Sequence, residues 1–268
     1  MKKLAILLLG VSAMMGSAYA EAEKDAKAVN FSFEGAFGKF DKAQLQRGYK
    51  VYKEVCSGCH SMRFMAFRNL ADKGGPGFTE EQTKALAATF KIHDVNDLGE
   101  GIDRNGLTSD TFPAPYATPA AAAAALGAAP PDLSLITKAR EGWHGTFNQL
   151  VNGIGGPEYV VSLLTGYEDP PAALAKEAPA NKYYNPYFVN GPWISMTPPL
   201  ADGSVTYDDG APNKVEDLAK DVATFLAWTA EPKMEERKQT GFEVLIYLII
   251  LAGLLYAVKQ RVWANIAH

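Results

Sequence analysis

Val55-Cys56-Ser57-Gly58-Cys59-His60 contains both cysteines of a 268-residue chain. Its Cys-x-x-Cys-His spacing is the signature of covalent c-type haem attachment. If the approach from Asp41 is helical, offsets of three and four place Cys56, Cys59 and His60 on one face. Two thiols then meet the haem vinyl edges while the imidazole reaches iron. Covalent attachment, orientation and one axial ligand all come from five residues.

A disulfide, a redox dithiol and half of a zinc site are the competing readings of this cysteine pair. A zinc site needs about four ligands, yet beyond the motif only His93, His144 and His268 remain, with no second cysteine pair. A thioredoxin-like motif follows a strand in a βαβ unit, whereas this one closes a helical pattern. Haem c is the reading that the spacing supports.

Lys2 and Lys3 precede an apolar run from Leu4 to Val11, and Ala18-Tyr19-Ala20 offers a small-residue cleavage site. Residues 1–20 therefore read as a secretory signal peptide, with the mature chain beginning at Glu21 and facing the bacterial periplasm. A second apolar run, Val244 to Val258, is followed by Lys259, Arg261 and Trp263. It is short for a span unless Gly241, Phe242 and the interfacial flanks contribute, so the anchor is placed at 241–258 and a cytoplasmic tail at 259–268. Lys233, Arg237 and Lys238 lie before it, so local charge does not orient it. The export signal does: the domain at 21–240 lies outside, on the periplasmic side of the inner membrane, and the tail inside.

That domain, of about 220 residues, is long enough for a single core. Asp41 and Gln44 stand in capping-box positions, followed by Leu45, Tyr49, Tyr52 and Val55 at helical spacing, with the aromatics read as core. A last soluble helix has Asn213 and Glu216 as its capping pair, an apolar stripe of Val215, Leu218, Ala219, Val222, Phe225 and Leu226, and a stop before Glu231-Pro232. Between them the chain is rich in turns and breakers rather than strands: Gly74-Gly75-Pro76-Gly77, the alanine and proline segment from Pro113 to Pro131, and a surface insertion between Asp169 and Ala180. No phosphate-cradling glycine motif and no Ser-His-Asp spacing stands out.

The distal iron ligand is sought by elimination among seven methionines. Met1, Met14 and Met15 leave with the signal peptide, Met62 and Met65 follow His60 too closely to cross the haem, and Met234 adjoins the membrane. Met196 remains, in Gly191-Pro192-Trp193-Ile194-Ser195-Met196-Thr197-Pro198-Pro199, where prolines stiffen an extended loop. Paired with His60 it would raise the reduction potential. The chain carries a formal charge of −4, and four of its lysines and arginines sit at the membrane-facing ends, so the exported domain is more acidic still. Such a surface favours a basic protein partner in salt-sensitive association and offers nothing to a nucleic acid.

Together with the haem motif, six further segments carry a family resemblance: Pro130-Pro131-Asp132-Leu133-Ser134 followed by Lys138-Ala139-Arg140, Gly156-Pro157-Glu158-Tyr159, Leu163-Leu164-Thr165-Gly166-Tyr167, Tyr184-Asn185-Pro186-Tyr187-Phe188, Met196-Thr197-Pro198-Pro199, and Ala230-Glu231-Pro232 before an anchor. In this order, over nearly all of the mature chain, it resembles the cytochrome c1 family of the cytochrome bc1 complex. The resemblance implies a mainly α fold: a cytochrome c-like haem domain with long loops and one C-terminal transmembrane helix. It implies thioethers at Cys56 and Cys59, axial ligation by His60 and Met196, Arg140 by a haem propionate and Tyr159 nearby. Some bacterial members carry extra cysteines near the distal loop; this chain has none.

The implied role is one-electron transfer, not bond-making catalysis by this chain alone. An electron would arrive from the mobile Rieske iron-sulfur subunit and leave to a c-type cytochrome, beside cytochrome b in a dimeric complex. The rival readings are a membrane-anchored monohaem cytochrome serving another oxidase or reductase, and a haem enzyme or sensor with an open distal site.

Overall fold

Asp41 caps the first helix among the described residues, 23–264, of the computed structural model. The proposed signal peptide and cleavage site, and the last four residues of the tail, lie outside the described residues. Asp41 Oδ1 accepts from the Gln44 backbone N–H at 2.8 Å, and α1 (Lys42–Glu54) follows with Leu45, Tyr49, Val51 and Tyr52 buried. Only half of the expected capping box forms, because the Gln44 side chain turns instead to Asp221, 3.0 Å away. The helix also stops before the cysteines and tightens into a 3-10 turn, Cys56–Gly58. Ser57 Oγ donates to the Lys53 carbonyl at 2.7 Å, satisfying one of the acceptors that a helix end leaves open.

Next come a 3-10 turn at Phe67–Ala71, α2 (Glu80–Ala88), and an antiparallel hairpin of β1 (Lys91–Val95) and β2 (Gly101–Asn105) that pairs His93 with Asp103. Short helices then alternate with loops: α3 (Pro119–Leu126), α4 (Ile136–Ala139), α5 (Thr146–Asn152), α6 (Gly156–Leu164) and α7 (Ala172–Ala175). The two-residue strands β3 (Tyr183–Tyr184) and β4 (Trp193–Ile194) pair with each other, and α8 (Val215–Ala230) and α9 (Met234–Trp263) complete the order. The fold is mainly helical, as expected. The alanine run between Ala120 and Ala125 is helical, opened by Thr118 and stopped by Gly127 at φ 76°, a conformation that glycine adopts without a Cβ clash.

The core forms where α1 crosses α8, with α4 and α6 packed on α8. At the crossing a Cβ on Gly48 would stand 2.1 Å from the Asp221 carbonyl oxygen and 2.7 Å from Phe225 Cβ, so the absence of a side chain sets the helix separation. Tyr49 and Tyr52 lie with ring centroids 5.6 and 5.9 Å from Phe225; they are core residues, as their spacing suggested. Buried Asp221 is paired with Arg47 Nε at 2.9 Å, which offsets the desolvation that an isolated buried carboxylate would suffer.

The apolar stripe of α8 is buried from Leu218 through Leu226, and the helix ends at Ala230 ahead of Glu231-Pro232. Its start departs from expectation. Lys214, not Asn213, is the N-cap, the Val215 N–H donates to Asp202 Oδ1 at 2.9 Å, and Asn213 turns to the Val205 carbonyl at 3.2 Å. A carboxylate thirteen residues upstream thus does the capping, an acidic group placed favourably at a helix N-terminus. The final helix runs unbroken from Met234, ahead of position 241 where the anchor was placed. An 18-residue window of it has a mean hydropathy of 2.2, and none of that window is buried against the rest of the chain. It is long and apolar enough to cross a membrane.

Candidate haem site

The 3-10 turn after α1 gathers the motif. The Cys56 carbonyl accepts from the Cys59 and His60 backbone N–H groups at 3.1 and 2.9 Å, so the three side chains emerge from one tight turn instead of a continuous helix face. No disulfide joins the cysteines. Cys56 packs against the core while Cys59 is exposed; burial, then the neighbouring Cys59, pushes the Cys56 thiol up to about 12.

His60 Nδ1 lies 2.8 Å from the Pro131 carbonyl oxygen. A carbonyl only accepts, so Nδ1 carries the proton and Nε2 keeps its lone pair, the arrangement typical of a metal-ligating histidine. Burial, partly opposed by the Pro131 bond and by Asp132, lowers the His60 pKa; the imidazole is held neutral, in its ligand form. This donor set fits a c-type haem.

Asp132 fastens the segment that supplies the carbonyl. It accepts from Ser61 Oγ at 2.8 Å, from the Arg63 N–H at 3.0 Å and from the Ser134 N–H at 2.9 Å. Burial alone would raise its pKa, but the donors from Arg63, Ser134 and Ser61 outweigh that and hold it below the ordinary carboxylate value. Ser61 in turn accepts from the Leu133 N–H at 2.8 Å. The motif and the Pro131–Ser134 segment are thus sewn together side by side.

From there α4 leads to Arg140, and α6 brings up Tyr159. A Cβ on Gly156 would sit 1.7 Å from the Thr137 carbonyl oxygen, so the start of α6 lies directly on α4. That contact sets Arg140 close enough to Tyr159 to bias its ionisation. Tyr159 is buried, and burial raises its pKa while a hydrogen bond with the Val189 backbone opposes the rise. Tyr167, just past α6, donates from its hydroxyl to the Met196 carbonyl at 3.1 Å, which ties the proline-rich loop to the same wall.

Of the other methionines, Met62, Met65 and Met234 are buried in the core, whereas Met196 is half-exposed. Beyond the motif, His144 has Nδ1 3.1 Å from Asp25 Oδ1. Glu158 has no role in the sequence reading. It is buried beside Tyr159, and burial followed by a hydrogen bond to Glu34 holds its carboxyl well above the ordinary range. Its place in Gly156-Pro157-Glu158-Tyr159 signals none of this, because its partner Glu34 is distant in sequence.

The model of the Cytochrome C1 family matches residues 31–266. The chain belongs to the cytochrome c1 family. It is 43% identical to cytochrome c1 of Cereibacter sphaeroides over 273 residues, 94% of this chain and 91% of that one. It is also 43% identical to a mitochondrial cytochrome c1 heme protein of Arabidopsis thaliana, over 95% of this chain and 77% of that one. Against the cytochrome b/c1 protein of Bradyrhizobium diazoefficiens the identity is 51% over 88% of this chain, which spans only 35% of that longer protein. Family membership makes this a c-type haem protein with one covalently bound haem, the electron-transferring haem subunit of a cytochrome bc1 complex.

Proposed function

We propose that Cys56 and Cys59 carry the haem as thioethers, that His60 and Met196 ligate its iron, and that Arg140 and Tyr159 face a propionate. The observation that carries this reading is the His60 Nδ1 bond to the Pro131 carbonyl, which leaves Nε2 free for iron. When bound, the haem supplies reversible one-electron chemistry at iron. The protein's part is to hold a neutral imidazole in one orientation, to keep a thioether on a loop tied down by Tyr167, and to place a guanidinium beside a buried phenol. His/Met ligation suits a high-potential acceptor.

In this reading the electron comes from a Rieske iron-sulfur subunit and passes to a c-type cytochrome, with cytochrome b as the membrane neighbour in a dimeric complex. Residues 1–20 are the signal peptide, 21–240 the periplasmic haem domain, 241–258 the anchor and 259–268 the cytoplasmic tail, at the bacterial inner membrane. Extraction in mild detergent tests it: the chain should co-purify with a b-type cytochrome and an iron-sulfur subunit, and quinol should reduce its haem. A chain that purifies alone, or a haem that quinol leaves oxidised in the presence of those subunits, would favour the anchored cytochrome serving another enzyme.

A further inference from the structure

Four phenylalanines lie in the ten residues from Phe31 to Phe40, ahead of α1, and three of them are buried. The Phe31 and Phe33 rings stack with centroids 5.0 Å apart, and Phe33 meets Phe40 at 4.8 Å. Phe37 is left out: it is 75% exposed, and its one ring contact among the described residues is edge-on with Phe242 in α9, at 5.6 Å and 74°. Gly35, at φ +71°, makes the reversal that turns Phe37 away from its buried neighbours.

This strap is fixed to the helix as well as lying beside it. The Phe40 N–H donates to Glu235 Oε1 at 2.9 Å, and Lys238 Nζ donates to the Phe33 and Gly38 carbonyls at 2.6 and 3.3 Å. The height of Phe37 along α9 is therefore set by hydrogen bonds to Lys238 and Glu235, one and two turns before Phe242. Phe242 itself stands two residues before the apolar run that begins at Val244. If α9 spans a bilayer, the Phe37–Phe242 pair falls at the boundary of headgroups and acyl chains, where interfacial segments bury apolar side chains such as Phe.

We infer that the strap from Phe31 to Phe40 is a second membrane contact, seating Phe37 in the lipid interface beside the anchor. Lipid is the occupant that the geometry favours. The exposed patch is continuous with the apolar surface of α9, which would lie in the bilayer, while a partner docking on the strap alone would meet two aromatic side chains that offer at most about 500 Å². A stable protein partner needs about 800 Å² per side. The contact would fix the tilt of the domain over the bilayer, which a lone helix leaves free to swivel. The inference rests on the membrane reading of α9, and the experiment separates the two.

With Cys56 and Cys59 consumed by haem, an introduced cysteine is the one thiol open to labelling. A nitroxide is attached at Phe37→Cys, and separately at Ala36→Cys, which leaves the ring pair intact. Leu248→Cys in the middle of the apolar run and Leu98→Cys on the hairpin loop serve as references, all in full-length holoprotein in phospholipid nanodiscs. Saturation of the spin signal is compared with oxygen, which partitions into lipid, and with a water-soluble nickel chelate. Labels at positions 36 and 37 should respond more to oxygen than to the chelate, as at 248 and opposite to 98. If 248 behaves as lipid-embedded while 36 and 37 follow 98, the strap stands in water and the inference fails alone. Resistance to both reagents at 36 and 37 would mean a protein cover and would equally overturn it. Chelate exposure at 248 would overturn the membrane reading of α9 itself.

Discussion

His60 Nδ1 and the Pro131 carbonyl oxygen stand 2.8 Å apart across a separation of 71 residues. The bond joins the Cys-x-x-Cys-His turn to the segment that leads through α4 to Arg140. Its donor is Nδ1, so the contact selects the tautomer, aims the ring and leaves Nε2 for the iron of the proposed ligation.

The segment is only as firm as Asp132. Asp132→Asn keeps the size but removes the charge and leaves one oxygen to serve three donors. The loss should be about 1–3 kcal/mol, seen as a lower thermal midpoint of the holoprotein. An unchanged midpoint would mean that Asp132 does not hold this segment.

Gly48→Ala tests the central crossing. A methyl placed 2.1 Å from the Asp221 carbonyl oxygen has backbone to displace, not a flexible side chain, so α1 and α8 must separate. Overpacking of this kind typically costs about 1–3 kcal/mol and occasionally more. Chemical denaturation should show the loss, and a variant as stable as the parent would contradict the crossing described here.

Acid should open the hairpin before the core. Arg104 binds Asp110 through two nitrogens at 2.6 and 2.9 Å, and that pairing, with the Leu107 N–H, holds the Asp110 carboxyl down at about 2. A depressed carboxylate stabilises the fold above its unfolded pKa of about 3.9, and that contribution is lost as pH falls from there through about 2. Protection of the β1 and β2 amides, relative to their intrinsic exchange, should therefore fall between about pH 4 and about pH 2, and Asp110→Asn should lower it already at about pH 5. Equal protection in the variant and the parent at pH 5 would show that the pair contributes nothing.

How far the sequence could be read depended on range. The cap by Asp41, the buried stripe of α8 and the stop before Glu231-Pro232 are encoded within a few residues, and each is present in the structure. The capping of α8 by Asp202 and the seating of Gly156 on Thr137 arise from residues brought together by the fold, which local pattern does not reveal. The hairpin escaped because Val95 and Ile102 are exposed in a stretch dense with charge, so it lacks the apolar alternation that marks a half-buried strand. At the site, the Cys-x-x-Cys-His spacing is plain in the sequence, while the nearness of Arg140 to Tyr159 came only through the family resemblance, since it depends on the packing of α4 against α6 and not on any local pattern.

Removal of everything after Gln239 should give a water-soluble haem protein with the axial ligands of the parent. The cut keeps Met234, Glu235 and Lys238, which pack or bond against the domain, and sacrifices the Phe37–Phe242 contact. Chromatography without detergent and a visible spectrum would check it. A truncated chain that loses its haem would place the missing segment in the soluble core.

In the proposed ligation Met196 closes the iron opposite His60. Met196→Leu preserves approximate volume and removes the sulfur, so the measurement is the visible spectrum of the reduced holoprotein under carbon monoxide, with a redox titration of the same sample. The expected result is a haem still attached through Cys56 and Cys59 that now binds carbon monoxide and has a lower reduction potential. A Met196→Leu protein with unchanged potential and no carbon monoxide binding would contradict the assignment.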